Sequence, residues 1–443
     1  MPIHLSDHFS FRRLLAFTFP SVVMMVFTSI YYVVDGYFVA NYAGKHAFAA
    51  VTLIFPLFGV LGAAGFMLGA GGAAIVGKML GSKKDKEARR TFSFFVAVTA
   101  LAGLILTLLG QYFLEAVALF LGADDEMLGA CLLYGRICLV SLPAFMLQFF
   151  FQPFFVTAER PKLGLTVTVI AGASNMLLDA LFVAVLGLGL CGAALATVIS
   201  ECLGGLLPLI YFARPNHSLL GLCRFTPCLR ALLAACGNGM SEFLINVSYP
   251  LLTALYNYQI LRISNQDGLA AFGILLYVSF VFTALFLGYA LGSAPLVSYH
   301  LGSNNSQELK NLFDKSLWIN AITGLALTLL AFLAARPMAT FFAGFDAELC
   351  ELTRHALSLY APIFLVSWIN IYGSSFFTAL NNGLASALIS TLRTLVFGVA
   401  AILILPTFLG LDGVWLAGIA GELVTVLVTV WLFARMRRQD KKA

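Results

Sequence analysis

Charge is what this chain has least of. Of its 443 residues 11% are Asp, Glu, Lys or Arg, against about 25% in soluble domains, while 60% are hydrophobic and the mean hydropathy is +0.94. Water cannot solvate such a surface over most of its area, which excludes a soluble globular fold and leaves lipid as the solvent. A disulfide framework is also missing. The eight cysteines (Cys131, Cys138, Cys191, Cys202, Cys223, Cys228, Cys236 and Cys350) form no CxxC pair and are scattered over several segments, as small apolar residues packed in helices would be. The six histidines are dispersed near segment ends with no metal-ligand spacing, so no metal centre built on histidine is expected. The apolar run that follows Arg12 and Arg13 is too long for a signal peptide and has no small-residue cleavage site, so it reads as a first membrane span.

What is present is a series of apolar segments. A helix needs about 20 residues to cross roughly 30 Å of hydrocarbon. At that length the chain divides into twelve spans: 14–40, 47–78, 92–121, 129–157, 163–187, 190–214, 230–261, 269–300, 313–335, 349–379, 384–409 and 412–435. Pro20, Pro56, Pro143, Pro153, Pro208, Pro250, Pro295 and Pro362 fall inside spans and are expected to bend them. The short connections on one side carry Arg12, Arg13, Lys78, Lys83, Lys84, Lys86, Arg89, Arg90, Arg160, Lys162, Arg214, Arg224, Arg230, Lys310, Lys315 and the basic tail, whereas the other side has Lys45, Arg262, Arg336 and Arg354. The positive-inside rule then places both termini in the cytoplasm of a multi-pass cell-membrane protein. The net charge of +5 is mostly this topological signal and gives no reason to expect a nucleic-acid partner; no obligate protein partner is evident either.

An internal repeat runs through the chain at a constant offset of 221 residues. LGSKKDKEARRTF at 80–92 aligns with LGSNNSQELKNLF at 301–313, FVTA at 155–158 with FFTA at 376–379, and LGLCGAALATVISE at 188–201 with LGLDGVWLAGIAGE at 409–422. Each copy has six spans, an even number, so both enter from the same side. The expected fold is an all-α integral membrane protein of twelve transmembrane helices. They form two six-helix bundles related by a pseudo-two-fold axis along the membrane normal. The N-lobe is 1–214, the cytoplasmic inter-lobe linker 215–229 and the C-lobe 230–443.

The repeat also separates scaffold from chemistry. Glycines persist across it, such as Gly71 with Gly292, Gly81 with Gly302 and Gly192 with Gly413, whereas Asp35 becomes Tyr256, Asn175 becomes Val396, Asp179 becomes Ala400 and Thr197 becomes Gly418. At 1.5 Å per residue, Asp35, Asp179 and Thr197 lie roughly 9–12 Å below the outer ends of their spans, and Asn175 is one turn deeper than Asp179 on the same face. Intramembrane carboxylates are costly and usually face a cavity where they act. The four residues therefore form a candidate cation or proton site confined to one lobe. Arg393 is expected to pair with Glu422; Arg136 is left without a nameable partner. Glu201 and Glu422 are repeat-equivalent, which assigns them a structural role. Candidate cavity residues are Tyr31, Gln148, Gln152, Glu242, Asn246, Tyr249, Tyr256, Asn257 and Tyr277, with the rings available for cation–π contact; Gln259 and Asn370 belong to the same polar set.

Across nearly its whole length the chain resembles the multidrug and toxic compound extrusion (MATE) transporters. The resemblance rests on YYVVDGYFVANYAG in the first span, NMLLDALF in the fifth, LGLGLCGAALATVISE into the sixth, GYALGSAPLVSYHLGSNN in the eighth and LPTFLGLDGVWLAG into the twelfth. The stretch NGMSEFLINVSYPLLTALYNYQ looks like the prokaryotic branch with an acidic residue in helix 1. The resemblance implies secondary active efflux of amphipathic, often cationic drugs by alternating access, coupled to inward H⁺ or Na⁺, with no cofactor beyond the coupling ion. It also implies that Asp35, Asn175, Asp179 and Thr197 form the coupling site, with Na⁺ held at Asp35 and Asp179 if Na⁺ is used, and that Pro20 is where helix 1 bends. Glu242 is the carboxylate that would serve if a second-lobe site were used. Two rival transporters remain. GSKKDKEARR at 81–90 lacks only a glycine, at Ala88, of the loop motif of major-facilitator transporters, and a lipid-linked saccharide flippase would share the lobe architecture but usually needs a more basic cavity. No nucleophile with its base is apparent, so an enzyme is not expected.

Overall fold

The computed structural model of the chain describes residues 3–39, 42, 45–264, 266–344 and 346–440. The end of the first expected span at residue 40 and the side chains of Lys45 and His46 lie outside the description. The N-terminal half contains α1 (Phe11–Phe38), α2 (Lys45–Gly81), α3 (Asp85–Phe120), α4 (Asp125–Thr157), α5 (Pro161–Asp179, prolonged by a π-helical turn over Ala180–Val185) and α6 (Gly189–Ala213). After the non-helical stretch 214–228, the C-terminal half contains α7 (Leu229–Asn238), α8 (Met240–Ile263), α9 (Gln266–Gly302), α10 (Ser306–Ala343), α11 (Ala347–Tyr360), α12 (Ile363–Ala379) and α13 (Gly383–Thr391). A second π turn at Leu392–Val396, α14 (Phe397–Leu409) and α15 (Leu411–Asp440) complete it. Among the described residues no strand is present, and ten helical stretches are long and apolar enough to cross a membrane. The bent pair α11–α12 makes an eleventh. The remaining crossing, α7–α8, carries Glu242, Asn246, Asn257, Gln259 and Arg262, which lower its hydropathy. The fold is the expected multi-pass, all-helical one with twelve crossings.

Two spans expected to be single helices are broken. The span at 230–261 divides at Gly239, where a side chain would collide with the Met67 carbonyl of α2, so backbone-to-backbone approach sets the break. The span at 349–379 bends by 50° at Ala361–Pro362, where proline lacks the N–H that would continue the ladder. Pro20, Pro56, Pro143, Pro153, Pro208, Pro250 and Pro295 instead lie inside unbroken helices. Neighbouring helices and hydroxyls satisfy the carbonyls that such prolines leave free. Thr107 of α3, for example, donates at 2.9 Å to the Leu139 carbonyl, the one that Pro143 leaves free.

The backbone repeats as the sequence does. Lys83 and Asn304, 221 residues apart, both take left-handed φ values (59° and 54°), as do Gly189 and Gly410 (55° and 57°). Contacts between the halves are reciprocal in the same way. Gly81 lies against the carbonyl of Tyr299, and its equivalent Gly302 lies against the carbonyl of Lys78, the equivalent of Tyr299. That pattern belongs to a two-fold interface, in which one patch meets its own copy. Gly71 with Gly239, Gly288 with Val22 and Gly292 with Thr18 extend the seam, all in the half of the molecule nearest the Lys- and Arg-rich loops. The halves are therefore joined at the basic end, with small residues permitting close backbone approach.

Each half has its own aromatic core: Phe92, Phe150, Phe151, Phe154 and Phe212 in the first, and Tyr256, Phe272, Phe282, Phe364 and Trp415 in the second. At the basic end the strap before α1 ties the halves together. His4 Nδ1 lies 2.7 Å from Glu159 Oε2 and the Leu5 amide donates to Glu159 Oε1 at 2.6 Å. Four residues on, His8 Nδ1 lies 2.6 Å from Glu308 Oε2, the Phe9 amide donates to Glu308 Oε1 at 2.9 Å, and Lys315 Nζ donates to the Phe9 carbonyl at 2.6 Å.

Candidate functional site

The N-terminal half gathers polar side chains where α1, α4, α5 and α6 meet. Gly172 sets the spacing of α1 and α5: a methyl group there would come 2.6 Å from the Phe27 ring and 2.9 Å from the Tyr31 ring. One turn beyond Tyr31 on α1 is Asp35; one and two turns beyond Gly172 on α5 are Asn175 and Asp179. The Asp35 carboxyl thus lies against the side chains of both Asp179 and Asn175. Asp179 is completely buried, Asn175 is buried and Asp35 is half-buried. The π turn after Asp179 widens the helix just past the carboxylate, a placement common at functional sites.

The chemistry of the cluster is one-sided. Asp35 Oδ1, Asn175 Oδ1 and both oxygens of Asp179 are buried and accept no hydrogen bond from any described group. Ionised carboxylates and amide oxygens are acceptors only, and an unpaired buried polar group carries a desolvation penalty of about 1–3 kcal/mol, more when charged. Two facing carboxyls cannot both ionise cheaply. An acceptor set of this kind has the chemistry to take up a proton or a small cation.

Thr197 does not join the carboxylates directly; its hydroxyl faces the ring oxygen of Tyr134. Tyr134, buried on α4 and within electrostatic reach of Asp35, is the site residue that sequence reasoning missed. Its repeat equivalent is His355, so the rule that picked out the other four, polar in one copy and not in the other, could not single it out. Pro20 lies in the basic half of α1, which is continuous helix from Phe11 to Phe38.

The cavity candidates divide. Tyr249 and Tyr277 are exposed and Glu242, Asn246 and Asn257 are half-buried, as groups facing a cleft or lipid would be. Tyr256 is not a lining residue: it is buried in the core of the second half, stacked on Phe272 with centroids 5.0 Å apart and planes 3° from parallel. Gln148 and Gln152 are also packed away, Gln148 directly over Gly204 of α6, and Tyr31 is buried against Gly172. Gln259 and Asn370 are buried as well.

Among the described residues the second half has no counterpart of the acceptor cluster. There Arg393 Nε donates to Glu422 Oε1 at 2.5 Å, Asn370 Nδ2 donates to Glu422 Oε2 at 2.7 Å, and Thr429 Oγ1 donates to Asn370 Oδ1 at 2.7 Å. Glu242 lies within electrostatic reach of the same arginine. Arg136 is exposed, and its carbonyl accepts from Gln111 Nε2 at 2.8 Å. Among the described residues no group of three His, Cys, Asp or Glu side chains is arranged to hold a metal ion.

Comparison with known proteins returns one family. The family model described as MatE matches residues 20–181 and again 242–404, one match in each half. The multidrug export protein MepA of Staphylococcus haemolyticus is 23% identical over 430 residues, covering 97% of this chain and 94% of its own. Among solved structures, that of MATE in complex with MaL6 superposes with a TM-score of 0.93 at 21% identity, covering 99% of this chain and 98% of the other. The outward-facing conformation of a multidrug resistance MATE family transporter of the MOP superfamily gives 0.92 at the same identity and coverage.

Proposed function

Because this chain belongs to the MatE family, we propose that it is a multidrug exporter that expels amphipathic, cationic small molecules from the cell by antiport against H⁺ or Na⁺. The basic end, where the strap and the glycine seam join the halves, is the cytoplasmic face, and both termini lie there. The observation that carries the reading is the acceptor-only cluster of Asp35, Asn175 and Asp179 in one lobe, set against Tyr256, Val396 and Ala400, with no carboxylate or amide, in the other.

The cycle follows from differential binding. With neither proton nor Na⁺, the facing carboxyls repel and the N-lobe holds a negative charge that favours a cationic drug. A proton or Na⁺ arriving from outside removes the repulsion, lets α1 change its course at Pro20 and lowers drug affinity. Drug and ion then favour different states of one equilibrium, which is all that coupling requires. Tyr249 and Tyr277 offer exposed rings for the drug, and Glu242 with Asn246 a polar edge. The relative named for multidrug export supports the substrate class.

The test is ethidium exchange in proteoliposomes under an imposed pH or Na⁺ gradient, with the wild type beside Asp35→Asn and Asp179→Asn. Each variant should still fold and bind dye but lose gradient-driven uptake. Wild-type exchange in both would overturn the assignment.

A further inference from the structure

Glu201 and Glu422 are equivalent in the repeat, but their surroundings are not. Each of the two polar partners of Glu422 has been replaced around Glu201. Arg393, the ion-pair partner, corresponds to Gly172; Asn370, the amide partner, corresponds to Phe149. Neither replacement is free to revert. Gly172 is pressed against Phe27 and Tyr31, and Phe149 is buried and stacked on Phe66 with centroids 3.9 Å apart. The first half has kept the acid and removed what neutralises it.

What remains beside Glu201 is one hydroxyl. Ser141 Oγ lies 2.6 Å from Glu201 Oε2 and 2.9 Å from the Cys138 carbonyl. A serine has a single proton to donate. If Glu201 is ionised, that proton is claimed by both acceptors. If Glu201 is neutral, its own O–H donates to Ser141 Oγ and the serine proton goes to the Cys138 carbonyl, which satisfies the whole set. Ser141 of α4 bonds Glu201, and the groups within electrostatic reach of it are Cys138 and Tyr134 from α4, Asp35 from α1, with Asp179 of α5 behind Asp35, and Cys202 next to it on α6. None of them is a cation, and no Lys, Arg or His among the described residues is ion-paired to it.

Placement supplies the second part. Glu201 is one turn from Thr197 on α6, and Tyr134, Cys138 and Ser141 follow at i, i+4 and i+7 on the facing side of α4. A continuous polar column therefore leads from the Asp35–Asp179 pair one turn further toward the basic end. Glu201 is half-buried at the foot of this column.

We propose that Glu201 is a second proton-carrying carboxyl of the N-lobe, binding and releasing its own proton in each cycle beside the Asp35–Asp179 pair. This rests on the reading of the N-lobe as the coupling site. The Glu201 carboxylate takes a proton from hydronium on the outer side, becoming the neutral acid and leaving water, and returns it to water on the cytoplasmic side after the lobes rock. Two cations then move inward for each monovalent drug cation that leaves, so one net charge crosses the membrane per cycle.

Charge movement is the readout. The full chain, reconstituted in liposomes with inward H⁺ and Na⁺ gradients and ethidium as the probe, is driven by an imposed membrane potential. Wild-type exchange should depend on voltage. Glu201→Gln should exchange one cation for one ethidium, with proton uptake per dye reduced by one and the voltage dependence gone, while Glu201→Asp restores both. Voltage dependence retained in Glu201→Gln would overturn the proposal and leave the Asp35–Asp179 reading intact; loss of all coupled exchange in Asp35→Asn together with that result separates the two. A direct check uses unaltered protein. A hydrophobic carbodiimide adds the O–H of neutral buried acids, and mass spectrometry should find Glu201 modified at neutral pH. Glu201 left unmodified while Asp35 or Asp179 reacts would refute it, even if the Gln variant never reaches the membrane.

Discussion

Replacing Arg393 by methionine tests the C-lobe network as a structural device. The guanidinium is the donor to Glu422 Oε1 at 2.5 Å, and the Glu422 side chain is only 7% exposed. Methionine keeps the length and apolar stem but strands the carboxylate, with the Asn370 amide as its remaining side-chain donor at 2.7 Å. Breaking a buried pair from one side costs about 3–5 kcal/mol, because the surviving charge loses its partner without regaining water. Glu242 loses its nearby cation in the same step, which holds the expected value toward the upper part of that range. Removing both charges, as Arg393→Met with Glu422→Leu, leaves no stranded carboxylate at position 422, so most of the loss should be recovered. The assay is reversible unfolding in mixed micelles of all four members of the double-mutant cycle, which isolates the pair's coupling energy. The double variant should also retain ethidium exchange at wild-type stoichiometry. A single variant within about 1 kcal/mol of wild type, or a double variant no more stable than the single, would refute the reasoning, since a buried charge that tolerates losing its partner was never dependent on it.

Gly302→Val should push against the Lys78 carbonyl and open the basic end; overpacking of about 1–3 kcal/mol shifts the equilibrium between lobe arrangements by about 5- to 150-fold, read as longer distances between spin labels on α2 and α9. The strap should respond to pH. The Glu159 carboxylate, by its hydrogen bond first and its charge second, holds the His4 imidazole above the ordinary histidine range. A raised value means the attraction is complete below about pH 6.5 and lost as pH rises through the shifted value, so trypsin cleavage at Arg12 and Arg13 should accelerate on alkalinisation. Glu159→Gln should flatten that dependence. Tyr134→Phe should leave folding unchanged yet lower the rate of coupled exchange, by removing the hydroxyl that faces Thr197.

Much of this was legible because lipid makes polarity expensive. Asp35, Asn175 and Asp179 stood out in an apolar chain, and the 221-residue offset showed that the other copy does without them; the structure brings those three together. The broken spans were illegible for a different reason. The break at Gly239 is set by Met67, more than 170 residues earlier in the chain, and no local signal separates that glycine from a dozen others. Tyr256 was taken for a cavity residue because a tyrosine between polar neighbours reads as half-wet, but the side it presents is decided by Phe272 on the next helix. The structural role expected for both glutamates agrees with the pairing of Glu422 with Arg393, but it was argued by applying the repeat only to the acids. Carried to their partners, the same offset turns Arg393 into Gly172 and Asn370 into Phe149, and equivalence of position no longer implies equivalence of role.

That difference bears on how a two-fold frame can do directional work. If both lobes neutralised their acids with fixed arginines, neither would change charge during the cycle, and an external ion would have no state to prefer. If both left their acids free, the lobes would compete for the same ions. The chain does one of each. The C-lobe acid is held by Arg393, Asn370 and, through Asn370, Thr429, an arrangement with its donors already supplied and little reason to exchange with solvent. The N-lobe acids have no resident cation among the described residues; on the proposed reading their neutralisation comes from solution, and the ion that supplies it can shift the equilibrium only by its difference in affinity between the two lobe arrangements. Shared glycines give both halves the same backbone and the same seam; on the proposed reading it is the charge state of the Asp35–Asp179 pair that the gradient addresses.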